Sequence, residues 1–147
     1  MKFVSKDLAL KLKEKGFNRP CFGWYYINIP AGRAEDELIL NTSNTRGVAY
    51  EDLLHSHNEV LAYYSADRCV DAPTIEQVLE WLREDHYTYI VIEPINYGHR
   101  IKYIQKIWKI YKDDLCNYGD NLITFETYDD ACIAGIEYVV EHLINKL

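Results

Sequence analysis

Apolar positions recur every three to four residues in three stretches, and each is bounded by helix-ending chemistry. Over residues 5–15, Leu8 and Leu12 share one face. Ser5 stands at the N-cap, and Gly16 supplies a left-handed position after the last turn. Phe17 follows as the apolar contact of a Schellman end. In the second stretch Ile75, Val78, Leu79 and Leu82 form a stripe, with Trp81 beside it. Thr74 and Gln77 have capping-box spacing, and the pattern fades between Glu84 and His86. The third stretch begins at Thr127, with Asp129 and Asp130 in its first turn. Cys132, Ile133, Ile136, Val139, Val140, Leu143 and Ile144 then give a continuous apolar face, and Gly135 within it suits close packing.

Strand patterning fills much of the remainder. Residues 21–29 are rich in strand formers and stop at Pro30. After a turn at 31–33, residues 37–40 return as a second strand, making a hairpin with a long loop. Residues 87–95 read as a strand, and Asn96, Tyr97 and Gly98 as a turn. Ile101, Ile104, Trp108 and Tyr111 fit a helical stripe, but β-branched and aromatic residues dominate 100–111, which predicts a strand. A polar loop over 112–120 and a short strand over 121–126 follow. The segment 41–70 is the irregular, loop-rich part. Its composition predicts a loop at 41–47, its pattern allows a short helix about 49–57, and Val60 to Ser65 has strand propensity. This order predicts one α+β domain over 1–147, an antiparallel or mixed sheet with about three helices packed on it.

Composition narrows the function classes. A chain of 147 residues can bury about two thirds of its unfolded surface without disulfide or metal staples. Acidic residues outnumber basic ones 23 to 16, a net charge of −7, which disfavours general attraction to nucleic-acid backbones. No apolar run approaches the roughly 20 residues of a membrane span, and Met1–Lys6 lacks the apolar core of a secretory signal, so a cytoplasmic location is expected. Cys21, Cys69, Cys116 and Cys132 show no metal or redox spacing and read as reduced thiols, with Cys132 in the core. The 13 tyrosines either cap an α+β core, hydroxyl outward, or form a recognition surface.

Several constellations bear on chemistry. His55 and His57 with Glu59 have the form of a metal pair plus carboxylate. The surrounding residues look helical, however, and i, i+2 side chains on a helix point apart, so no metal site is predicted. His86 and His99 could meet Glu84, Asp85 or Glu93, but no nucleophile stands in an elbow motif, so no catalytic residue is assigned. The glycines form no phosphate cradle, and no cofactor is predicted. Arg100, Lys102, Lys106, Lys109 and Lys112, interleaved with Tyr103, Trp108 and Tyr111, have the look of a platform for single-stranded nucleic acid or a small anion. As a strand, Arg100, Lys102 and Lys106 share one face with Ile104 and Trp108, and Lys109 lies on the other. A solvated face that blunts a sheet edge explains the run equally well.

The segment Ala72–His86 followed by an Ile/Val-rich strand, the ending Thr127–Ile144, and the opening Lys13-Glu14-Lys15-Gly16-Phe17 with Pro20-Cys21-Phe22 together resemble a group of small uncharacterised proteins of Bacteroides-type gut bacteria, their prophages and phages. The similarity covers about 60% of the chain and is poor over 41–70. It implies a bacterial or phage cytoplasmic protein from mobile DNA and carries no activity with it. By association with small accessory proteins, the resemblance also implies action through binding a host or phage protein, or a small molecule. The leading expectation is therefore a non-enzymatic binding module with Trp81, Tyr87, Tyr97 and Trp108 as exposed aromatics. The alternative is a small-molecule site or minor enzyme near the 86–100 hairpin, built from His86, His99 and Arg100. A homo-oligomer pairing its Tyr-rich face is the third reading.

Overall fold

The computed structural model describes residues 2–27, 37–40, 69–111, 114–117 and 123–144. They fall in two compact units, Phe3–Thr74 and Ile75–Asn145. The chain has an α+β fold: three helices and two three-stranded sheets among the described residues, with every strand pair antiparallel.

In the first unit, helix α1 (Lys6–Glu14) starts where Ser5 Oγ accepts the Leu8 N–H at 3.3 Å. It ends in the expected Schellman motif. The Phe17 N–H donates to Leu12 C=O at 3.0 Å and the Gly16 N–H to Lys13 C=O at 3.1 Å, with Gly16 at φ +89°. The sheet has the order β2–β1–β3, with β1 at Gly23–Tyr26, β2 at Leu38–Leu40 and β3 at Cys69–Ala72. The expected hairpin of residues 21–29 with 37–40 is thus present, its first strand shortened. β3 was not foreseen. Its four residues are all buried although Asp71 is among them. Trp24 and Cys69, with Tyr26 and Ile39 against them, form an apolar cluster in which the Trp24 and Tyr26 rings meet edge-on at 4.7 Å. The Tyr25 hydroxyl donates to Val4 C=O at 2.7 Å, tying the segment that leads into α1 to the central strand. The expected loop at 41–47, the helix at 49–57, the strand at 60–65 and the His55–His57–Glu59 group lie outside the described residues.

The second unit runs α2 (Ile75–His86), β4 (Thr88–Tyr97), β5 (Arg100–Tyr111), β6 (Asp114–Asn117) and α3 (Tyr128–His142). Residues 100–111 form a strand, as their composition predicts. The strand of 87–95 extends to Tyr97, so the turn contracts to Gly98 and His99, with Tyr97 paired to Arg100. Gly98 has φ +68°, the positive value that a type II′ hairpin requires at its first central position. The expected polar loop at 112–120 contains β6 instead. Asp114–Asn117 pairs with Trp108–Tyr111, because β5 offers a long ladder and an edge strand tolerates polar residues. The expected strand at 121–126 is, among its described residues, one bridge from Phe125 to Tyr103.

Tyr103 exchanges both backbone hydrogen bonds with Phe125, at 2.9 and 2.8 Å, so its N–H and C=O turn away from β4. Because the β4–β5 register is unbroken, Pro94 opposite Tyr103 turns its backbone to the free edge of β4. The N–H that proline lacks is therefore not one the ladder needs. Helix α3 is capped by Thr127 Oγ1, which accepts the Asp130 N–H at 3.0 Å. It packs on β4 and β5, and α2 packs on α3 and β4. Trp81, Leu82, Ile75, Val78, Ile107, Ala131, Cys132, Ile136, Val139 and Val140 make the core of this unit.

Candidate functional site

Strand alternation gives the β4–β5 pair two faces. One faces α3. There Gly135 meets Ile90 and Gln105, Lys109 Nζ donates to Leu143 C=O at 2.8 Å, and the Tyr103 and Tyr128 rings meet edge-on at 6.2 Å. The other face carries Tyr89, Val91, Glu93, Ile95 and Tyr97 of β4 with Arg100, Lys102, Ile104, Lys106, Trp108 and Ile110 of β5.

At one end of this outer face Tyr89, Val91, Trp108 and Ile110 line a shallow, almost wholly apolar groove of about 350 Å³. Tyr89 and Trp108 are direct cross-strand partners. Tyr89 is 37% exposed, Val91 41% and Ile110 39%, so the groove floor is open to solvent. In the middle, Lys106 Nζ lies 3.2 and 3.0 Å from the two carboxylate oxygens of Glu93. Towards the turn, Lys102 Nζ stands 4.7 Å above the Tyr97 ring and 3.1 Å from Glu126 Oε1. These are surface contacts, each contributing about 0–1 kcal/mol.

The sequence-predicted candidates separate. Trp81 is buried at 1% exposure, its ring edge-on to His86 at 4.4 Å. It is a core residue, not an exposed aromatic, because the helical stripe is wide enough to include it. Tyr87 and Tyr97 are exposed as expected, at 60% and 59%. Trp108 is half-buried in the groove wall. His86 closes α2, whereas His99 and Arg100 are exposed at the far turn. The ten-residue β4 lies between them. At the strand rise this is about 30 Å, so the structure does not assemble His86 with His99 and Arg100. Both histidines flank one strand and not a hairpin, which is the physical reason.

Sequence reasoning missed Tyr89, Val91 and Ile110. The signal was present in the run Tyr89-Ile90-Val91-Ile92, apolar on both faces. Such a run suits a strand covered on both sides. With α3 on one face only, it leaves apolar side chains exposed on the other.

Burial raises the pKa of two of the buried thiols, Cys132 and Cys21, and so favours their protonated form at neutral pH. Burial pushes the Cys132 thiol up to about 11, against an opposing hydrogen bond from Tyr128. Burial, and then the Asp71 carboxylate, raise Cys21. Burial lowers the His86 imidazole, Asp85 opposes that shift, and Lys109 adds to it. Among the described residues no three His, Cys, Asp or Glu side chains cluster as metal ligands, and no helix is long and apolar enough to cross a membrane. No protein-family model, curated protein or solved structure matches the chain.

Proposed function

We propose that this protein is a non-enzymatic binding module that engages a protein partner through the outer face of the β4–β5 hairpin. The observation that carries the reading is the open apolar groove of Tyr89, Val91, Trp108 and Ile110. Exposed aromatic and aliphatic side chains gathered on one rigid strand pair are the composition of an interface core. The long register of β4 against β5 holds them in place before any partner arrives, which lowers the ordering cost of association. Tyr87 adds a second sign. It keeps φ +51°, a conformation that favours glycine, while its ring stays outside the core. The resemblance of the chain termini to phage and prophage accessory proteins directs the search for a partner to host or phage proteins of the cytoplasm.

The test is capture of partners by the tagged full chain from lysate of a Bacteroides-type host, beside a Val91→Glu variant. Circular dichroism checks that the variant is folded. A stoichiometric partner held by the wild type and lost by the variant is expected. A partner retained equally by both overturns the assignment to this face.

A further inference from the structure

The outer face differs in charge from the rest of the chain. The whole protein is strongly acidic, with 23 acidic residues against 16 basic. The outer face of β4–β5 nevertheless presents Arg100, Lys102 and Lys106 against two carboxylates, Glu93 on the face and Glu126 beside Lys102, which leaves it a net cation at Arg100. All three cations come from one strand and point to one side of it, alongside the apolar groove. Arg100 and Lys102 are separated by one strand repeat, about 6.8 Å, which is also the repeat of alternate side chains in any extended peptide.

We infer that the occupant of this face is an extended acidic peptide segment of a protein partner. An apolar side chain of the segment enters the groove of Tyr89, Val91, Trp108 and Ile110. An acidic side chain on the same side of the segment meets Arg100, and others compete for Lys106 and Lys102, whose pairs with Glu93 and Glu126 are weak surface contacts. This rests on the proposed function above and specifies the partner's chemistry. Charge complementarity sets the sign: the net positive charge of the track disfavours a basic segment and steers an acidic one toward Arg100. The two carboxylates on the track favour a peptide over a nucleic-acid strand. Glu93 holds Lys106 and Glu126 holds Lys102. A phosphate at every nucleotide must confront both carboxylates, whereas a peptide can concentrate its charge at Arg100.

The experiment measures binding of the full chain to fluorescein-labelled peptides of about ten residues, which span such a strand face. One carries a Trp near one end and Glu at the following alternate positions, with Thr between them, so that the apolar anchor and the acids lie on the same side. Two counterparts replace every Glu with Gln or with Lys. A labelled single-stranded oligonucleotide is the fourth probe. The acidic peptide should bind about tenfold more tightly than the Gln peptide at low salt and lose that advantage at high salt. The Lys peptide should bind weakest. Val91→Glu should weaken all three peptides, and the double variant Arg100→Glu with Lys106→Glu should invert the order of the Glu and Lys peptides. Equal binding of all three peptides, still abolished by Val91→Glu, overturns the acidic assignment and leaves the docking face standing. Binding unaffected by Val91→Glu overturns the docking face itself. Tightest binding of the oligonucleotide, sensitive to both variants, overturns the peptide in favour of a nucleic-acid strand.

Discussion

Gly135 stands so close to Ile90 that a Cβ on it would lie 2.8 Å from Ile90 Cγ2 and 2.6 Å from Gln105 Oε1. This near contact sets how closely α3 approaches β4 and β5, and so which face of the hairpin is covered. Gly135→Ala restores helix propensity of up to about 1 kcal/mol. It also forces a β-branched side chain and a buried amide to move, an overpacking cost of about 1–3 kcal/mol. A net loss of about 1 kcal/mol in urea unfolding is expected. An unchanged or raised midpoint would show that the helix shifts at no cost.

The Tyr25 hydroxyl and the Val4 carbonyl form a buried pair at 2.7 Å. Tyr25→Phe leaves that carbonyl without its donor while keeping the ring. A loss of about 1–3 kcal/mol is expected from chemical denaturation, with the sheet otherwise intact by circular dichroism.

The three tryptophans differ in access. Trp24 and Trp81 are 6% and 1% exposed, whereas Trp108 lines the open groove. Acrylamide should therefore quench one fluorescence component readily, and Trp108→Phe should remove that component. Quenching that survives the substitution would place the accessible indole elsewhere.

Tyr87 combines a left-handed backbone with an exposed ring. Relief of that conformation by Tyr87→Gly should hold stability level or raise it by up to about 1 kcal/mol. If the ring belongs to the binding face, partner capture should fall in the same variant, a stability–function trade-off. A loss of stability together with unchanged capture would assign Tyr87 a structural role.

His86 gives the fold a pH dependence. Burial lowers its imidazole pKa, so just below the ordinary value of about 6.5 the unfolded chain binds more protons than the folded one. Stability therefore falls as pH drops below that value, and the loss levels off once the folded imidazole also protonates. The urea midpoint measured down from neutral pH should show this decline, and His86→Asn should flatten it. A midpoint that rises on acidification in this range would reverse the sign.

The three helices were legible because their periodicity and caps are local. Ser5, Gly16 and Thr127 do in the structure what their positions in the chain predict. The strand at 100–111 was legible from composition even though its spacing also fitted a helix. β3 and β6 were not, since Cys69–Ala72 and Asp114–Asn117 are short and lack alternation. They are strands because β1 and β5 supply ladders for them. Of the candidate site, the sequence identified Trp108 and the cation row. It could not separate the covered face of β4 from the open one.

The helices and their ends are written in local pattern, because periodicity and capping depend on neighbours within a few residues, and the acidic balance is a sum over the chain. That Trp81 is core, that His86 and His99 lie at opposite ends of β4, and that Tyr89, Val91, Trp108 and Ile110 meet in one open groove became visible with the packing. Those outcomes depend on which face of a strand a helix covers. That is a long-range packing choice, made here where Gly135 lets α3 close on Ile90, and no local pattern in the chain encodes it.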